Sequence, residues 1–129
     1  MTTMMRMNLY FTGWFYILFA AYMFITPHSF YDATPGVAMR GPFTTHFIRD
    51  AGLAMGVSGG ALFWGALKLD RAVMIFGTIW PALHAVLHLW VWIARGMPFD
   101  FIALVNLTGI QIWAWLGLFC ALKLKGAQS

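Results

Sequence analysis

Two pairs of side chains in this sequence combine metal-ligating chemistry with helical spacing. His46 and Asp50 stand four apart in TTHFIRDAGLAMGVSGG, and His84 and His88 stand four apart in WPALHAVLHLW. Residues at i and i+4 share one face of an α-helix, so each pair would present two donors side by side. Together they supply three imidazoles and one carboxylate, a set suited to zinc, copper(II), iron or manganese. Ligands projecting inward from facing helices are how helix bundles build metal sites. Arg49, Arg95 and Asn106 are then candidates to orient those ligands or to hold an anionic substrate.

Other readings of the same residues stay open. HxxxH alone is a weak motif, and it gains force only from the HxxxD beside it. Asp50 next to Arg49 or Arg95 can be an intramembrane ion pair that sets helix register, with each histidine donating to a backbone carbonyl or to the Asn106 amide. A haem b between helices would need axial ligands on opposite sides of one porphyrin, which His84 and His88 on one helix do not offer. His46 with His88 would be the pair. A proton relay through Asp50, His88 and His84 finds no polar residue in the third apolar run to continue it inward. His28, just past Pro27, reads as a loop histidine. Met39, Met55 and Met97 could favour copper(I), but methionine is also a general gap-filler.

Several chemistries are excluded outright. The chain has no glutamate, which removes di-iron sites built on Glu-x-x-His pairs. Its one cysteine, Cys120, allows no internal disulfide or CxxC couple. Phosphate-binding loops, nucleophile elbows and HExxH are absent from the sequence.

The elements that must carry these residues are membrane spans. With 61% hydrophobic residues, 9% charged and a mean hydropathy of +0.75, the chain cannot cover a soluble surface. Four apolar runs, residues 9–26, 44–67, 72–94 and 101–122, each come close to the roughly 20 residues needed to cross a bilayer core. The first run has no convincing small-residue cleavage site after it and reads as a retained span. The expectation is a single all-α domain over residues 1–129, a four-span antiparallel bundle.

The net charge of +4 is spread over loops and ends, so it reports topology and not nucleic-acid binding. Threading four spans puts Arg6, Lys68, Arg71, Lys123 and Lys125 on one side and Arg40 and Arg95 on the other. The positive-inside rule then makes both termini cytoplasmic, as in a bacterial inner membrane. The short KLDR and RGMPFDF links make neighbours of the spans they join. Counting about 1.5 Å per residue from the outer ends, Asp50, His88 and Asn106 fall at a similar depth of roughly 9–11 Å. The loop PHSFYDATPGVAMRGPF is long enough to fold back over the outer mouth.

Two features bear on packing. Gly52, Gly56 and Gly60 repeat every four residues, a small-residue stripe that lets membrane helices approach closely. At about 100° per residue it lies on the opposite side of its helix from His46 and Asp50. Pro81 removes a backbone donor inside the third span and predicts a kink there. The functional expectation is a small membrane subunit, working in a larger complex or as a homo-oligomer in the lipid bilayer. Its external half would bind a transition metal, or its polar cluster would serve only as an interhelical lock.

Overall fold

The computed structural model describes residues 2–125, and among them there are helices and no strands. Helix α1 spans Thr2–Ile25, α2 Pro27–Ala33, α3 Thr45–Lys68, α4 Arg71–Ala94, α5 Phe101–Asn106 and α6 Ile112–Lys123. A short 3-10 turn, Ala38–Arg40, lies in the loop before α3, and a π-helical turn, Leu107–Gln111, joins α5 to α6 into one rod. Three helices are long and apolar enough to cross a membrane: Thr2–Ile25, Arg71–Ala94 and Phe101–Lys123. Helix α3 is as long as α1 but carries His46, Arg49, Asp50, Lys68 and five glycines.

Local chemistry explains where these rods begin and end. Asp70 caps α4 by accepting from the Val73 amide at 3.1 Å, and Asp100 caps α5 by accepting from the Ala103 amide at 2.8 Å. Each carboxylate satisfies one of the donors a helix start leaves unpaired. Leu69 turns the chain between α3 and α4 at φ 56°. At the other helix ends the orphan carbonyls are taken by arginines. Arg6 donates to the carbonyls of Ala66 at 2.9 Å and Leu67 at 3.1 Å, Arg49 to Phe24 at 3.0 Å, and Arg71 to Leu122 at 3.1 Å. Each bond ties the end of one helix to another helix.

The helices pack antiparallel around a ring, α1 on α3, α3 on α4, α4 on α6 and α6 back on α1. The α1–α3 seam is tightest because both backbones are bare where they cross. A Cβ on Gly59 would lie 2.7 Å from the Gly13 carbonyl oxygen, and one on Gly52 would lie 3.1 Å from the Met23 Cβ. The stripe therefore faces α1 within the same chain, and its third member is Gly59. Gly60 meets nothing within 4 Å. Between α3 and α4 the close approaches are at Gly65, against Met74, and at Gly77, against Leu62 and Ala61.

The main core, around Leu9, Tyr16, Leu62, Ala66, Met74 and Ala121, sits toward the end where α1 begins. A smaller cluster of Met23, Phe30 and Ile48 holds the loop end. There the long loop folds back on the bundle: the Phe43 ring stacks on His28 with centroids 3.6 Å apart, and the Tyr31 hydroxyl donates to the Gly41 carbonyl at 2.7 Å. Gly36, at φ +87°, brings the loop against α5, where a Cβ would lie 2.9 Å from the Ile102 Cγ2.

Candidate functional site

His46 and Asp50 form a contact on the first turns of α3, with the His46 Nε2 3.2 Å from the Asp50 Oδ2. Their side chains are 88% and 58% exposed, so the described residues leave the pair largely uncovered. Arg49 points elsewhere: besides its bond to the Phe24 carbonyl, its guanidinium lies over the Phe24 ring, 5.3 Å from the centroid. It belongs to the α1–α3 seam.

His84 and His88 also meet each other, with ring centroids 4.6 Å apart. The His84 ring stacks on Trp80, centroids 4.8 Å apart and planes inclined by 11°. The two rings border two small cavities along the seam between α4 and the α5–α6 rod. His84 shares the deeper one, about 10 Å³, with Tyr16, Met55, Pro81 and Gly109. His88 shares the one nearer the loop end, about 20 Å³, with Arg40, Trp92, Arg95, Ile102 and Asn106. Volumes of this size admit about one water-sized group each. Helix α4 continues through Pro81, which lies buried beside the deeper cavity.

The two pairs are not brought together. No α3 residue lines the cavity of His88, and no group of three or more His, Cys, Asp or Glu that could hold a metal ion occurs among the described residues. The His46–His88 pair required for an axially ligated haem is likewise divided between an exposed helix end and the α4–α5 seam. The reason is rotational. On α3 the residues meeting α1 (Gly52, Gly56, Gly59) and those meeting α4 (Ser58, Ala61, Leu62, Gly65) lie roughly 130–140° apart at 100° per residue. His46 and Asp50 fall roughly a quarter turn beyond the α4 face.

The π-helical turn organises the polar groups the α5–α6 rod contributes. Its wider turn puts residues five apart above one another, so the Gln111 Nε2 donates to the Asn106 Oδ1 at 3.2 Å. The same Nε2 donates across the seam to the Ala85 carbonyl at 2.9 Å, and the Gln111 Oε1 accepts from the Trp115 indole at 2.8 Å. Arg95 pairs with Asp100 through one guanidinium nitrogen. The Asp100 carboxyl is held below its usual range, first by the Ala103 amide and then by Arg95.

No family model, curated protein or solved structure matches the chain. Its chemistry is read from the geometry alone.

Arg40, Gln111 and Tyr16 matter more than their sequence positions suggest. Arg40 lines the seam cavity from the loop, which turns at Gly36 four residues earlier. Asn8 and Thr12 on α1 each keep a buried side-chain oxygen without a hydrogen-bond partner among the described residues. Their spacing of four puts them on one face of α1, where Thr12 meets Gly117 of α6.

Proposed function

We propose that the chain is an integral membrane protein of four spans, an antiparallel bundle with both termini cytoplasmic, that serves as an assembly subunit of a larger membrane complex. In this reading most polar groups within the spans hold the helices in register. The observation that carries it is the set of bonds from arginine and glutamine side chains to carbonyls of other helices, Arg6 to Ala66 and Leu67, Arg49 to Phe24, Arg71 to Leu122 and Gln111 to Ala85. Polar side chains that bond across helices are the usual glue of membrane bundles. Helix α3, packed along α1 and α4, crosses with them as the fourth span. The basic residues of the α1 end outnumber those of the loop end, which supports the orientation. The exposed His46–Asp50 pair supports the subunit role, because an ionisable pair left to lipid is costly and one covered by a partner is not.

A second reading is favoured by the contact between His84 and His88. Two imidazoles at i and i+4 can chelate a transition metal, with the remaining positions filled by water or by a partner subunit. His46 and Asp50 then take no part.

Metal analysis and an absorption spectrum of the purified protein separate the readings. Stoichiometric metal that is lost in His84→Ala and His88→Ala supports the second, and a Soret band would bring haem b forward. A metal-free, spectrally silent protein supports the first. Single cysteines placed in the 34–44 loop and at the 69–70 link, in a Cys120→Ser background, test the topology: impermeant maleimide added to intact cells should label the first and not the second.

A further inference from the structure

The cavity at the loop end of the α4–α5 seam holds more cationic donors than the bundle uses. Arg95 lines the cavity and is partly engaged, with one guanidinium nitrogen on Asp100. The Arg40 side chain makes no hydrogen bond or ion pair among the described residues, while its backbone amide donates to the Val37 carbonyl at 3.0 Å. Asn106 accepts from Gln111 through its Oδ1, which leaves its amide nitrogen as a donor. His88 completes the wall. The cavity lining holds two guanidiniums and no carboxylate, and Asp100 pairs with Arg95 alone, so the mouth keeps an excess positive charge.

We propose that this mouth binds a small oxyanion presented from the loop side, its oxygens held by Arg40, Arg95 and the Asn106 amide. Guanidinium groups match oxyanion geometry with parallel N–H donors, and such charge-assisted bonds are about twice as strong as neutral ones. The volume sets the mode of binding. About 20 Å³ admits one or two oxygen atoms and not a whole phosphate, so the anion sits in the opening with its body outside. A free phosphate and the phosphate of a lipid headgroup share this chemistry. The site needs no metal and does not depend on the assembly role proposed above.

Arg40 is the informative position, because it is exposed and its side chain bonds nothing among the described residues, so Arg40→Gln should leave the fold intact. The measurement is calorimetric titration of the detergent-solubilised protein with inorganic phosphate, at constant ionic strength and with EDTA present. It is paired with native mass spectrometry from nanodiscs of phosphatidylcholine with and without phosphatidylglycerol. Saturable phosphate binding weakened at least tenfold by Arg40→Gln and by Asn106→Leu, and largely restored by Arg40→Lys, is the expected result for a free anion. Retention of phosphatidylglycerol without phosphate binding, lost in Arg40→Gln, assigns the site to a headgroup. Neither form binding, or binding that is indifferent to Arg40→Gln and Asn106→Leu in variants with unchanged thermal unfolding, overturns the proposal.

Discussion

The Gln111 side chain donates to the main-chain carbonyl of Ala85 at 2.9 Å, joining the α5–α6 rod to α4 at a point where Gln111 is only 5% exposed. The same amide nitrogen reaches Asn106 and the amide oxygen receives Trp115, so one side chain connects three others. Replacement by leucine keeps the bulk and removes all three bonds. Interhelical hydrogen bonds in membranes contribute about 0.5–2 kcal/mol, and Gln111→Leu should lower stability by about that much. Reversible unfolding in mixed micelles with increasing denaturing detergent measures it. A variant as stable as the native chain would remove Gln111 from the lock.

The glycines of α3 should divide sharply. A Cβ at Gly59 meets the Gly13 carbonyl at 2.7 Å and the Tyr16 Cβ at 2.9 Å, neither of which can move without shifting a helix. Gly59→Ala should therefore cost about 1–3 kcal/mol, the usual range for overpacking. Gly60→Ala meets nothing within 4 Å and should change stability by no more than about 0.5 kcal/mol. The same micelle unfolding assay compares them, and equal effects would place the α1–α3 seam elsewhere.

The Arg95–Asp100 contact predicts an acid-sensitive loop end. Asp100 is held below the ordinary carboxylate range by the Ala103 amide and by Arg95, so its folded-state pKa lies below its unfolded value. A group shifted in that sense contributes stability that is present above the unfolded pKa and is lost as pH falls through the folded one. Asparagine still caps a helix but carries no charge. Asp100→Asn should thus be less stable than the native protein at pH 7, and the gap should close below about pH 4, the usual aspartate range. Thermal unfolding across a pH series reads the gap, and a difference that persists unchanged at low pH would contradict it.

Gly36 positions Arg40. Its φ of +87° is in the left-handed region that side chains rarely adopt, and a Cβ there would press on the Ile102 Cγ2 at 2.9 Å. Gly36→Ala should lift the loop off α5 without disturbing the helices. Phosphate binding should weaken as in Arg40→Gln, while the helical circular dichroism remains unchanged. Full retention of binding would mean that Arg40 reaches the mouth without this turn.

The helices themselves were legible in the residues. Apolar runs of about 20 residues, interrupted by loops that hold most of the charges and the prolines, specify helical rods because a buried backbone must satisfy its own hydrogen bonds. The KLDR link specified the α3–α4 hairpin through its length. Two expectations about facing surfaces fared differently. The small-residue stripe did mark a close helix contact, since missing side chains permit close approach to any backbone. The contact is made by Gly59 and not by Gly60, because helical periodicity places Gly59 in line with Gly52 and Gly56. That His46 and Asp50 should face His84 and His88 rested on adjacency alone, and adjacency says which helices touch without saying how each is rotated.

Sequence alone thus determined where the long apolar helices lie, which are joined by short turns, and which residue pairs share a face, because those properties depend on local spacing and composition. It did not mark helix α2, Pro27–Ala33, which lies in the stretch that composition assigns to a loop. The tertiary structure decided which faces meet. Rotation of α3 is set by the bare glycine backbone it presses against α1 and by Ser58, Leu62 and Gly65 against α4. That leaves His46 and Asp50 on the remaining arc. The Gln111 bond to Ala85, and the loop that carries Arg40 to the cavity of His88, depend likewise on contacts between segments far apart in the chain. No local pattern encodes them.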